Sequence, residues 1–229
     1  MSAGVKPLTI KLKGNNMKLT EKYRPAKLAD VLGQDKIIDQ LRNLDKADNL
    51  GGQAYYLSGK SGTGKTTIAR IIARRVADCR FTIDEVVARQ LSPNQLKDIA
   101  DKWRMLPLYG KGFALIVNES HGLSKPVIEI FLDVLENMPE YVTVIFTTTI
   151  GGNDLFEDHV DAGPFKSRCL LIQLGQRNLA PVFAAKCKEI AGIENLDCQP
   201  LDKYIRLAQD CGNNMREMLN RIELGEMKQ

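Results

Sequence analysis

The run Gly59-Lys60-Ser61-Gly62-Thr63-Gly64-Lys65-Thr66 has the residue types and spacing of a phosphate-binding loop. Gly59, Gly62 and Gly64 let the backbone turn tightly, so that consecutive N–H groups point inward at a phosphate chain. Lys65 supplies a positive charge for the β and γ phosphates, and the Thr66 hydroxyl can ligate Mg²⁺. Ser61, Thr63 and Thr67 complete the polar lining, and a helix starting at Lys65 adds its positive dipole terminus.

Transfer of a phosphoryl group to water also needs an activated water and neutralisation of the charge that develops on the γ-phosphate. Asn118 and Glu119 follow the apolar run Phe113–Val117, and Thr147, Thr148 and Thr149 follow Val142–Phe146. Glu119 can position and deprotonate water. Thr148 or Thr149 can hydrogen-bond that water or the γ-phosphate, and Thr148 is the candidate assigned. Alone, Glu119 would suit a helix cap or a solvated carboxylate better; a place at a strand tip opposite a phosphate loop reverses that in favour of the catalytic reading.

Those residues need a scaffold that brings them to one edge. Ala54–Leu57, Glu85–Ala88, Phe113–Val117, Val142–Phe146 and Cys169–Leu174 read as strands. Between them lie helical patterns at 35–44, from Ile68 through Val76, from Ser92-Pro93 through Trp103, and at 127–137. Alternating strands and helices predict a three-layer α/β domain with a parallel five-stranded sheet, whose ligands sit at the carboxyl ends of the strands. From Gln176 onward the pattern is helical only, at 179–190, 201–211 and 215–223, which predicts a small three-helix domain. The expected division is a basic tail at 1–18 with a short alternating run at 8–12, a nucleotide-binding domain at 19–175, and a helical lid at 176–229.

Composition narrows the class without choosing a function. The chain has 229 residues, 44% of them apolar, enough for a sizeable core. Its 32 basic and 28 acidic side chains leave +4, which permits nucleic-acid contact without arguing for it. Neither a membrane-length apolar stretch nor a secretory leader is present, so a cytoplasmic location is expected. The five cysteines are widely spaced with no C-x-x-C, and read as reduced thiols and not as a zinc site.

With these residues in place, the chain resembles the AAA+ ATPases. Within them it is similar to the sliding-clamp loader subunits, both bacterial and of the replication-factor-C type, over about residues 19–223. Lys22-Tyr23-Arg24-Pro25 with Asp30-Val31-Leu32-Gly33-Gln34 looks like the family's box preceding the nucleotide site, which implies that Arg24 and Val31 contact nucleotide. Ser167-Arg168-Cys169 matches the S-R-C motif, implying that Arg168 is an arginine finger reaching the γ-phosphate held by a neighbouring subunit. A surface salt bridge is its alternative role. Gly212-Asn213-Asn214-Met215-Arg216 resembles the lid motif in which Arg216 would be the sensor 2 arginine, and His121-Gly122-Leu123-Ser124 resembles the stretch after the acidic box.

The resemblance implies ATP and Mg²⁺ as ligands, and other clamp loader subunits, a sliding clamp and primer-template DNA as partners, with no membrane role. The Ser92-Pro93 helix start with Lys97 is its best DNA-contact candidate, or an ordinary solvated cap. Three departures stand out. The family's Asp-Glu pair reads Asn118-Glu119, which removes a negative charge beside the metal and is expected to weaken Mg²⁺ and nucleotide binding, so that Asn118→Asp should strengthen both. The residues after the first helix lack the ligands of the bacterial motor subunits' zinc module, and the family's helical collar, expected after the lid, does not follow within these 229 residues, as in a truncated chain or an atypical member. Two functions stay open at this point: an ATP-hydrolysing loader motor, and a non-hydrolysing ATP-binding subunit that supplies Arg168 to a partner.

Overall fold

A computed structural model describes residues 17–149, 162–175 and 178–228. Residues 1–16 of the tail, with its short alternating run, lie outside the described residues. Five strands form one sheet: β1 (Ala54–Ser58), β2 (Ile83–Val87), β3 (Phe113–Asn118), β4 (Val142–Thr148) and β5 (Leu170–Gln173). They pair in the order β2-β3-β4-β1-β5, and every pairing is parallel. All residues of β1 and β4 are buried, as the continuous apolar runs require, whereas the edge strands β2 and β5 are half exposed.

Alternation along the strands divides the core into two layers. Tyr56, Leu115, Val117, Val144 and Phe146 face one side and pack against α4 (Pro93–Lys102) and α5 (Lys125–Glu136). The short helix α6 (Ala162–Ser167) adds Phe165, whose ring meets those of Tyr56, Phe131 and Phe146 edge-on. On the other side, Tyr55, Leu57, Ala114, Ile116 and Ile145 pack against α2 (Asp35–Lys46) and α3 (Lys65–Ala77). The Ser92 hydroxyl and Gln95 side chain cap α4 reciprocally, with Pro93 in its first turn.

A third apolar cluster is built from α7 (Ala180–Ile193), α8 (Leu201–Asp210) and α9 (Met215–Glu223). Leu19 of the short helix α1 (Leu19–Lys22) belongs to this cluster, and Tyr23 and Leu32 pack against it. The segment preceding the sheet is therefore held by the C-terminal helices. Gln34, only 5% exposed, ties the two regions together: its amide donates to the Gly175 carbonyl (2.8 Å) and accepts from the Gly175 amide (3.2 Å).

Two strand boundaries differ from the sequence reading. Strand β2 runs 83–87 instead of 85–88, because Ile83-Asp84 pair with Ala114-Leu115 although Asp84 is polar. Strand β5 is shorter at both ends, with Cys169 still bonded to the last turn of α6 through the Lys166 carbonyl.

Candidate nucleotide-binding site

The loop leaves β1 at Ser58 and enters α3 at Lys65. Gly62 (φ +78°) and Gly64 (φ +100°) occupy backbone conformations that favour glycine. A Cβ at Gly62 would also lie 2.0 Å from Asn214 Oδ1, so the loop is pressed against the start of α9. Lys65 is 6% exposed, and its ammonium donates to the carbonyls of Gly59 (2.7 Å) and Lys60 (2.9 Å). Burial lowers its pKa from the usual value; Glu119 opposes that change and the positive charge of Arg216 adds to it. A buried cation satisfied by carbonyls, with a second cation nearby, is electrostatically poised for an anion.

Opposite the loop, the strand tips form a hydrogen-bonded set. Asn118 Oδ1 accepts from Thr147 Oγ1 (3.0 Å) and lies 3.4 Å from Thr66 Oγ1. Its Nδ2 donates to Glu85 Oε1 on β2 (2.8 Å). The Arg70 guanidinium grips Glu85 from α3 with bonds of 2.8 and 3.0 Å. Burial raises the Glu85 carboxyl, but the bonds from Arg70 and Asn118 outweigh it and hold the group below the usual carboxylate range. Glu119 follows in a left-handed conformation (φ +53°) that turns it out of the strand. Its Oε2 accepts from Thr149 Oγ1 (3.1 Å) and lies 3.5 Å from His121 Nδ1.

Thr148 does not face this set. It is fully buried, bonded to His121 Nδ1 (3.2 Å) and to the Tyr56 hydroxyl. Successive strand residues point to opposite faces, so Thr147 and Thr149 turn toward Asn118 and Glu119 while Thr148 turns away. Of the two threonines weighed, Thr149 is the one that bonds Glu119 and lines the cleft.

An open cleft lies between the loop and α7 and α9. Ser61 to Thr67, Glu119, Thr149, Arg24 and Arg216 line its polar side, and Lys186, unremarked in the sequence, adds a further cation. Tyr23, Val31, Leu32, Phe183, Ile190 and Leu219 form an apolar wall. Arg24 donates to Thr67 Oγ1 (3.2 Å) and pairs with Glu21. Gly59 and Asn118 sit just behind this lining, Gly59 through its carbonyl on Lys65 and Asn118 beside Thr66, whereas Thr148 and Arg168 stand apart from it. The parallel register Tyr55↔Leu170 puts Arg168 at the amino end of the sheet, where it bonds Glu136 Oε2 (3.0 Å) and the Pro164 carbonyl (2.8 Å).

Comparison with known proteins fits this geometry. Residues 23–151 match the family model described as the Holliday junction DNA helicase RuvB P-loop domain. The chain belongs to this family of AAA+ P-loop domains. The DNA polymerase III subunit gamma/tau of Mycoplasma pneumoniae is 32% identical over 154 residues, 57% of this chain and 22% of that protein. The replication factor C small subunit of Methanoregula boonei is 27% identical over 217 residues, 89% of this chain and 61% of that protein. Relatives of both kinds named from the motifs are thus found, although the AAA+ chain spans only part of their length. The RuvB Holliday junction branch migration motor of Thermotoga maritima superimposes with a TM-score of 0.70, covering 88% of this chain and 64% of its own. At 20% identity that similarity shows the fold.

The residues suit ATP and Mg²⁺. Nothing lies within 4 Å of a Cβ built at Gly64, leaving open space above the loop backbone. Thr66 and Asn118 offer neutral oxygens of the kind a hard cation takes. Among the described residues no group of three or more His, Cys, Asp or Glu could hold a metal alone, so phosphate oxygens would complete the shell. No helix of the described residues is long and apolar enough to cross a membrane.

Proposed function

We propose that the cleft binds Mg²⁺·ATP and hydrolyses it, and that the chain is a clamp-loader-like motor. It would work at subunit interfaces, with other loader subunits, on a sliding clamp and primer-template DNA. The observation that carries the reading is the buried Lys65 ammonium, held by loop carbonyls, with Glu119 at the opposite side of the same cleft. The loop amides and Lys65 hold the phosphates, and the apolar wall beside Val31 takes the base. Glu119 accepts the proton of the attacking water as its oxygen bonds to the γ-phosphorus and the bond to the β-phosphate oxygen breaks. Thr149 fixes the carboxylate that receives the proton, and Arg24 and Arg216 balance charge on the phosphates. Bound Mg²⁺, held by Thr66 and Asn118, would neutralise the β and γ oxygens.

A motor that acts on DNA and a clamp is supported by the motif order and by the names of the relatives. The division into a nucleotide-binding part and a lid is part of the proposal. The second reading, a non-hydrolysing ATP-binding subunit that lends Arg168 to a partner, is favoured by one observation, the asparagine at 118. Steady-state ATP turnover with and without clamp and primed DNA separates the two. Glu119→Gln is expected to cut turnover by about 10² or more while nucleotide affinity stays within about twofold. Tight nucleotide binding with no turnover in the unmodified protein under any condition would establish the second reading.

A further inference from the structure

Asn118 stands where the resemblance expects an aspartate, yet a carboxylate lies directly behind it. Glu85 Oε1 accepts from Asn118 Nδ2 at 2.8 Å, while Asn118 Oδ1 faces Thr66 Oγ1 and Thr147 Oγ1. A carboxylate can only accept at its ionised oxygens, so it fixes which end of the amide faces it: the NH₂ toward Glu85, the oxygen toward the cleft. Strand register makes the meeting possible, because Val87 pairs with Asn118 and Glu85 lies two residues back on the same face of β2. Arg70 holds the other side of Glu85 through a forked pair, and Arg70 in turn lies 4.0 Å from Glu21.

We infer that Glu85 is the positioning acid of the candidate metal site, with Asn118 serving as the neutral amide that orients an oxygen toward Thr66 and transmits the charge of Glu85. This rests on the cleft being a Mg²⁺-nucleotide site. Glu85 is not a ligand; it aims the Asn118 oxygen and polarises its amide, since hydrogen-bonded groups in series strengthen one another. The arrangement also reverses the expectation for Asn118→Asp. An aspartate oxygen in the place of Nδ2 would meet Glu85 Oε1 without a proton between them, so two like charges would oppose each other at hydrogen-bond distance. The negative charge of this corner sits at position 85, and only exchanging both residues conserves it.

The test uses the full chain and a fluorescent ATP analogue, with binding measured across a Mg²⁺ titration and again in excess chelator. Glu85→Gln is expected to raise the Mg²⁺ concentration for half-maximal binding by about tenfold and to leave chelator binding within about twofold. Asn118→Asp alone should show no gain in Mg²⁺ dependence, and Glu85→Gln with Asn118→Asp should return to the wild-type titration. An unchanged titration in Glu85→Gln overturns the inference, as does equal loss with and without Mg²⁺, which would mark a merely structural contact. If Glu85→Gln fails to fold, Asn118→Asp still decides, because stronger Mg²⁺ dependence in that variant overturns the inference. Wild-type binding that ignores Mg²⁺ throughout would overturn the reading of the cleft itself, and the inference with it.

Discussion

Adjacent threonines at the tip of β4 have separate tasks, and substitution should separate them. Thr149→Val removes the hydroxyl that donates to Glu119, leaving the carboxylate free to turn; turnover should fall about tenfold, with nucleotide affinity nearly unchanged. Thr148→Val removes a buried hydroxyl bonded to His121 and Tyr56, and should cost about 1 kcal/mol of stability with a smaller effect on turnover. Paired turnover and urea denaturation measurements check both, and a Thr148→Val variant as slow as Thr149→Val would contradict the assignment. The sequence shows three threonines in a row, and which of them faces the cleft depends on strand parity, which an unbroken apolar run does not reveal. The loop was legible because glycine, lysine and threonine are needed there in fixed order. Glu85 was not, because a carboxylate in a half-exposed edge strand looks like any solvated charge until β2 is known to lie beside β3.

Among the elements, the C-terminal helices have a lock whose strength depends on pH. Asp197, between α7 and α8, accepts from Lys188 Nζ (2.7 Å), the Tyr204 hydroxyl (3.0 Å) and the Gln199 amide (3.1 Å). The Lys188 bond is the main reason its carboxyl titrates below its ordinary value, with burial opposing. A carboxyl depressed in the folded state contributes stability that is present above its unfolded pKa of about 3.8, and that is lost as pH falls through the lower folded value. Asp197→Asn should therefore melt at a lower temperature than wild type at neutral pH, and the gap should close on acidification below pH about 3.8. A gap that stays constant to low pH would show that packing, not charge, holds this corner. The helices themselves followed from periodicity. That Leu19, Tyr23 and Leu32 pack with them did not, since a short segment interrupted by Pro25 and ended by Gly33 carries no period to say which core it joins.

At the scale of the molecule, a parallel sheet separates the two ends of the chemistry. The loop follows the carboxyl end of β1, whereas Arg168 precedes the amino end of β5; with Tyr55 beside Leu170, they are at least about 10 Å apart along the strands. Arg168 is held at its own end by Glu136 and the Pro164 carbonyl, away from the cleft of its own chain. As an isolated pair with Glu136, itself 65% exposed, it would contribute little stability, and its loss would leave turnover untouched. As a finger in trans it exchanges that pair for a neighbour's γ-phosphate, and an arginine supplied in this way accelerates phosphoryl transfer by roughly 10³ to 10⁵ in GTPases. The two possibilities differ in what a mixture of variants does. Arg168→Ala keeps an intact cleft and Lys65→Ala keeps an intact arginine, so each alone should be nearly inactive. In a head-to-tail assembly of equal amounts, about a quarter of the interfaces would join a working cleft to a working arginine, and activity should return toward that fraction. Full turnover by Arg168→Ala alone would reduce the residue to a surface ion pair. A mixture as inactive as its components would mean that the arginine and the cleft never meet across an interface.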